Sequence, residues 1–537
     1  MLRDRIFLNG NVLTMELQSS QASAFGVVGD RFGAVGSDTD IRRFHSPDSD
    51  IVDLKGKTVI PGLIETHNHL SDYAMTLMQV DCSTTANRTL SDVLDRIREK
   101  AKETNRNEWI KGWGFDDTLM AEKRHLTRQD LDKATSENPV FIHHISGHLA
   151  YVNSRALRIA AIGSTTPDPE GGEIHRDETG MPTGLLSEES AQALVLKHIP
   201  VPAICGLKKT LQHAINHYHQ YGITSVHDGS IGYYRDGPEV LRAYRELEAE
   251  EKLTIRVYAT IIADLYDSIC GMGLGSGFGS KFMKLGSVKL FQDGSIQALT
   301  AALEEPYLNR PGFRGHVLMP QETLNARVKK YHQAGLQIAV HANGDRAIES
   351  VLTAIEKACE TYPRQDHRHM IIHCQLASQD HIRRMNRAGV IPSYFINHIY
   401  FWGDRHVAEF LGRKRAQIMD PLGSTVKENL LFTLHSDCPV TPVNPLFSIY
   451  TAVNRMTRNG DVLGEAERVS VEQALKAFTI HGAYCSFEEH IKGSIAPQKL
   501  ADFVILSDNP LTIEPAAIKD VRVQATVVGG RLVHGGY

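Results

Sequence analysis

VIPGLIETHNHL (59–70) is the stretch on which the fold turns. It is an apolar, strand-like run that ends in His67 and His69, one residue apart. Residues i and i+2 of a strand point to the same face, so both imidazoles face one way. Neutral imidazole is the commonest metal-ligating side chain. Taken alone, an H-x-H pair at a strand end is better explained as two solvated polar residues. The rest of the chain reverses those odds. Later apolar runs also carry ligand-capable residues: Lys289 in SVKLFQDG (287–294), His341 in LQIAVHANGD (336–345), His373 in MIIHCQ (370–375) and Asp437 in LLFTLHSD (430–437). In a (β/α)8 barrel the carboxyl ends of the strands converge on one face, where residues distant in sequence meet. Placed there, the six residues make a metal-binding ring.

Counting outward from this stretch gives eight strand-like runs: 60–67, 222–229, 254–261, 287–293, 336–342, 369–374, 389–395 and 430–437. Helical patterns such as LNARVKKYHQAG (324–335), IESVLTAIEKACETY (348–362) and DHIRRMNRAG (380–389) fall between most of them. This alternation predicts an α/β fold with a parallel sheet, a (β/α)8 TIM-type barrel. Short strands with turn signals fill DRIFLNGNVLTM (4–15), AFGVVGDRFGAVG (24–36) and DIVDLKGKTVI (50–60), and the pattern returns in 492–508 and 524–537. Residues 1–58 plus 488–537 are therefore expected to form one small β-sandwich domain, with the barrel at 59–487. Residues 71–221 are too long for a loop and are expected to hold a subdomain inserted after the first barrel strand. It includes ENPVFIHHISGHLAYVNSRAL (137–157) and the Gly-rich hairpin GGEIHRDETGMPTG (171–184), and it would roof the substrate pocket.

Composition fits such an enzyme. The 537 residues are 42% hydrophobic, enough for one large core and a smaller domain. The net charge of −5 comes from 58 basic and 63 acidic residues without a basic stripe, which argues against nucleic-acid binding. Seven cysteines without a C-x-x-C pair point to a reducing, cytoplasmic setting. The apolar patch of MLRDRIFLNGNVLTM is too short for a signal peptide, and no run approaches the roughly eighteen apolar residues of a membrane span. A soluble protein without membrane association is expected. A homodimer is the default assembly for such an enzyme.

The motifs PGLIETHNH, GHLAYVNSRAL, GGEIHRDETGMPTG, GITSVHDG, VKLFQDGS, HANGDRA, MIIHCQ and HSDCPV, with the closing GSIAPQKLADFVILSDNP, span essentially the whole chain. Together they resemble the amidohydrolase superfamily, and within it the third amidohydrolase family, whose members include N-substituted formamide deformylases. The resemblance implies that His67, His69, Lys289, His341, His373 and Asp437 bind metal. It points to two zinc ions, other divalent metals being alternatives, with Lys289 carboxylated at Nζ and bridging them. A lysine merely paired with Asp293 is the competing reading of Lys289. Asp437 would also be the general base, against the plainer role of a helix N-cap. In this sequence the H-x-I-G-D pattern reads HANGD and R-I-E-H reads MIIH, so Asn343 and Ile372 replace the usual residues without removing a ligand. Cys374 and Cys438, each next to a ligand, face the opposite way on their strands and read as core residues.

Substrate-contact candidates are His148, through GHLAYVNS, then His227, Trp113, Asp116 and His398. Phe115, His144, Tyr400 and Trp402 are weaker; Asp345 and Asn153 are read as structural, and Arg346 either orients the fifth-strand ligand or starts the next helix. The expected activity is hydrolysis of a C–N bond, an amide, in a small organic molecule, aromatic or moderately apolar, by a metal-activated water. A deaminase, a metal-assisted lyase or isomerase on the same scaffold, and a metal-free binding or assembly module are the alternatives. No clamp for a substrate carboxylate is evident in the sequence.

Overall fold

Eight apolar runs alternate with helices, and in the computed structural model they assemble into one eight-stranded parallel sheet, curled into a TIM-type barrel. The structure describes residues 4–16, 21–43, 49–84, 86–234 and 236–537. Residues 1–3, 17–20 and 44–48 of the terminal domain expectation, and Thr85 of the insertion, lie outside the described residues. The barrel strands are β1 (Leu63–Asn68), β2 (Ile223–Ile231), β3 (Arg256–Ile262), β4 (Met283–Phe291), β5 (Ile338–Ala342), β6 (Met370–His373), β7 (Ile391–Tyr394) and β8 (Thr433–Leu434). They pair in chain order, with Leu290 beside Val340 and Val340 beside Ile371. A parallel strand covered by helices is buried on both faces, which is why these segments read as near-continuous apolar runs. The eighth strand is shorter than the sequence suggested: pairing with β7 covers Thr433 and Leu434, and Asp437, three residues on, takes a left-handed backbone (φ 54°). Side chains close the seam: the Thr66 hydroxyl donates to the Leu434 carbonyl at 3.2 Å, and the Ser436 N–H donates to Glu65 Oε2 at 3.0 Å.

Both termini feed two further sheets. Four strands between Arg5 and Asp53 form one, and Asn11–Leu13, Gln21–Ala22 and Thr58–Pro61 join Phe503–Leu506, Val523–Val528 and Arg531–Gly535 in the other. Their faces meet in a small β-sandwich around Phe7, Phe25 and Phe503, with Phe7 and Phe25 stacked at 4.7 Å and Phe503 edge-on to Phe25 at 5.0 Å. One helix, Asp38–Arg42, interrupts a stretch expected to be strands and turns; the Ser37 side chain caps it by accepting from the Asp40 N–H. A buried ion pair bolts the sandwich to the barrel. Arg256 of β3 holds Asp502 through two parallel bonds of 2.7 and 2.8 Å, and Asp502 also accepts from the Gly529 N–H.

Between β1 and β2 the inserted residues build a six-stranded sheet with its own core, including Phe115, Leu131, Ile142 and Tyr151. Ile110–Phe115 and Val140–His144 run parallel in it. Glu173–Arg176 and Pro182–Ser187 form the hairpin expected from the Gly-rich segment. Asn153 caps the helix Ser154–Ile159. Among the described residues no helix is long and apolar enough to cross a membrane.

Candidate metal centre

His67 and His69 leave β1 on the face where β4, β5, β6 and β8 also end, and all six ring residues line one cavity of about 540 Å³. His67, His373 and Asp437 each bring a ligand-capable atom to within 4.8 Å of the others. His67 Nε2 and His69 Nε2 lie 3.4 and 3.3 Å from Asp437 Oδ1, which is buried yet has no aligned hydrogen bond. Lys289 Nζ lies 3.3 Å from His67 Nε2, and His373 Nε2 lies 3.1 Å from His341 Nδ1. Nitrogen and oxygen atoms thus crowd one point, and Asp437 Oδ1 is left there without a hydrogen bond. That donor set fits a divalent cation of borderline softness.

The outer ring nitrogens are anchored. His69 Nδ1 meets the Gly229 carbonyl at 3.0 Å, His341 Nε2 the Gly294 carbonyl at 3.0 Å, and His373 Nδ1 meets His435 Nε2 at 3.3 Å. Such anchoring fixes which nitrogen faces a metal. His373 (φ 71°) and Asp437 (φ 54°) both adopt left-handed backbone at their strand ends. For non-glycine residues this strain costs on the order of 1–3 kcal/mol each and clusters at functional sites.

Burial pulls the Lys289 amine down to about 7, against the partial support of Asp437. Burial, with the neighbouring positive charges, holds His67, His341 and His373 well below the ordinary imidazole value. Burial would raise Asp437, but the adjacent His69 and the surrounding cations hold it at about 2. Burial works against a charge on His69 too, yet Asp437 and Asp72 carry its pKa up to about 10. The carboxylate and three of the imidazoles are thereby in their ligating forms, and a bound cation would displace the proton from His69.

The pairing of Lys289 with Asp293 does not occur. Asp293 instead accepts backbone N–H groups of Ala302, Asn343 and Gly344 at 2.8–3.0 Å, and among the described residues Lys289 makes no ion pair. Of the substrate-contact candidates, His148 and Trp113 line the cavity, and His148 Nδ1 is held by Glu188 Oε2 at 2.8 Å. The other three lie off it. His227 is buried in the barrel against Tyr258, ring to ring at 4.8 Å. The Asp116 carboxylate accepts from the Thr118 N–H at 3.0 Å and stands 3.5 Å from Arg405. His398 packs on Phe395 at 4.4 Å, with Nδ1 3.6 Å from Asp420. Phe115 is in the insertion core, and His144 bonds Ser146 through Nδ1, with Nε2 3.2 Å from Asp117. Asp345 opens a helix, where its carboxylate accepts the Glu304 N–H. Cys374 and Cys438 are buried in the apolar core behind their neighbouring ligands. Sequence reasoning missed His435, Glu65 and Asp72, the last of which backs His69 at 3.4 Å.

The sequence pattern of the amidohydrolase family matches residues 50–534. The chain is 31% identical over 499 residues to YtcJ of Bacillus subtilis (strain 168), covering 92% of each. It is 29% identical over 544 residues to the N-substituted formamide deformylase of Arthrobacter pascens, covering 99% of this chain and 98% of that one. Among solved structures, an uncharacterized metal-dependent hydrolase from Pyrococcus horikoshii superposes with a TM-score of 0.77 at 26% identity, covering 95% of this chain and 99% of its own.

Proposed function

The chain belongs to the amidohydrolase family, and from that premise we propose that it is a metal-dependent hydrolase that cleaves the C–N bond of a small organic amide. The observation that carries this reading is the buried meeting of His67, His373 and Asp437 ligand atoms within 4.8 Å, at the ends of three different strands. His69, His341 and Lys289 complete the set, enough donors for two zinc ions. An ammonium without an anionic partner is a poor neighbour for cations. Reaction of the Lys289 amine with carbon dioxide, Nζ gaining a carboxylate and losing a proton, would turn it into an anion suited to hold cations beside the histidines.

When bound, the cations would polarise the amide carbonyl and bring the pKa of water to about 7. Asp437 is the base. Its carboxylate takes a proton from the attacking water as oxygen bonds to the carbonyl carbon, then passes that proton to nitrogen as the C–N bond breaks. A carboxylic acid and an amine leave, and the acid's proton passes to the amine in solution, giving a carboxylate and an ammonium. His148, with Nδ1 committed to Glu188, keeps Nε2 for the substrate.

The Arthrobacter relative's name puts N-substituted formamides at the head of a substrate panel. Amine release from at least one amide, abolished by chelation and by His67→Ala, is the expected result. No release from any amide after zinc or manganese is supplied would overturn the reading.

A further inference from the structure

Next to the metal cavity lies a second one of about 540 Å³, and the two adjoin at Asp72, Trp113 and Tyr234, which line both. The inserted sheet forms one wall. Lys111 and Trp113 are two residues apart on the strand Ile110–Phe115 and so share a face. Lys111 pairs in register with Phe141 on the neighbouring parallel strand, and two residues further on the Trp113 and His143 rings stand 5.4 Å apart. Three nitrogen-bearing side chains therefore face one cavity from two adjacent strands.

None of them has its hydrogen bonds made. Trp113 Nε1 and both ring nitrogens of His143 are shut off from water without a partner. Among the described residues Lys111 makes no hydrogen bond and no ion pair within 4.0 Å, although protein surrounds most of it. The carboxylates facing it are Asp236 and Asp72, which it feels only at longer range. Asp72 is turned to His69 at 3.4 Å, and Asp236 Oδ2 is itself unpartnered. Buried donors left unmade are costly, and folded proteins complete nearly all of them with protein, water or ligand.

We propose that Lys111, Trp113 and His143 form a carboxylate-binding subsite, which selects amides whose substituent has an apolar, ring-sized body ending in a carboxylate. This rests on the hydrolase reading for the reacting end of the same molecule. The complement is specific. An ammonium, an indole N–H and an imidazole N–H are three donors, matched by the lone pairs of one carboxylate, and only the lysine supplies the charge. The acceptors in the same cavity are Asp72, already turned to His69, and Asp236. Met75, Leu196, Ile199, Val201 and Pro202 add carbon to the lining and take the body of the substituent. Trp113, which borders both cavities, would lie along the body between the reacting amide and the carboxylate.

The test uses a matched pair, N-benzylformamide and its para-carboxylate, with wild type, Lys111→Met and Lys111→Arg. The wild-type protein should prefer the carboxylate by about 10–100-fold in kcat/KM, and Lys111→Met should collapse that ratio towards one, chiefly through KM, with Lys111→Arg restoring part of it. Calorimetric binding of para-methylbenzoate supplies a readout independent of hydrolysis, and Lys111→Met should weaken it at least about tenfold. A substrate ratio and a para-methylbenzoate affinity that do not change in Lys111→Met overturn the subsite. Lysine-dependent binding of para-methylbenzoate without hydrolysis of either amide would leave the anion site standing and remove these formamides from the hydrolase reading.

Discussion

Replacing Gly229 by alanine perturbs two metal ligands with one methyl group. Gly229 lies in β2, and its carbonyl holds His69 Nδ1 at 3.0 Å. Its missing side chain also makes room for His67. A Cβ added there would lie 2.6 Å from His67 Cε1, 2.9 Å from His67 Nδ1 and 3.0 Å from the Asn68 carbonyl. Carbon atoms in contact normally sit about 3.5–4.0 Å apart, so the imidazole must withdraw by roughly 1 Å or β1 and β2 must part. The backbone at 229 is not left-handed, which leaves sterics as the whole effect. Overpacking of this kind costs about 1–3 kcal/mol of stability. A displacement of about 1 Å in a reacting constellation costs on the order of 100-fold in rate, equivalent to about 2.7 kcal/mol of barrier. The assay is kcat/KM on a hydrolysed amide, with metal content and a urea melt on the same preparation. A Gly229→Ala protein that keeps kcat/KM within about threefold and retains its full metal content would refute the reasoning, since both ligands would then tolerate the methyl group.

Asp437→Asn should lower kcat by about 100- to 10,000-fold while metal remains measurable by elemental analysis; retained turnover would mean that another group is the base. Lys289→Ala should be nearly inactive and regain activity with added short carboxylic acids, whereas full activity without them would remove the carbamate from the account. Arg256→Ala strands the buried Asp502 carboxylate and should lower unfolding free energy by about 3–5 kcal/mol in urea titrations, with a loss under about 1 kcal/mol showing that the pair does not tie sandwich to barrel.

The barrel was legible because parallel strands covered on both sides must be apolar throughout, and because polar residues appear where those runs end. His67, His69, Lys289, His341, His373 and Asp437 stand out for that reason. Glu65 and His435 were open to the same logic, since each lies two residues before a ring residue, but neither shows a purpose until the barrel brings the ends of β1, β6 and β8 to one face. The short β8 was not readable, because the apolar run 430–437 continues on both sides of the two residues, Thr433 and Leu434, that pair with β7. His227 and His398 could not be placed, since a histidine near a strand end reads alike whether it faces the cavity or packs against Tyr258 or Phe395. Lys111 was invisible as well: its alignment with Trp113 and His143 depends on which strands pair in the insertion, and that register is a tertiary property.

The central claim is that the six convergent residues hold metal, and elemental analysis of protein purified without chelator tests it most directly. The account predicts about two zinc equivalents per chain, removed together with activity by a strong chelator. A protein that purifies without metal and takes up neither zinc nor manganese on dialysis would contradict it.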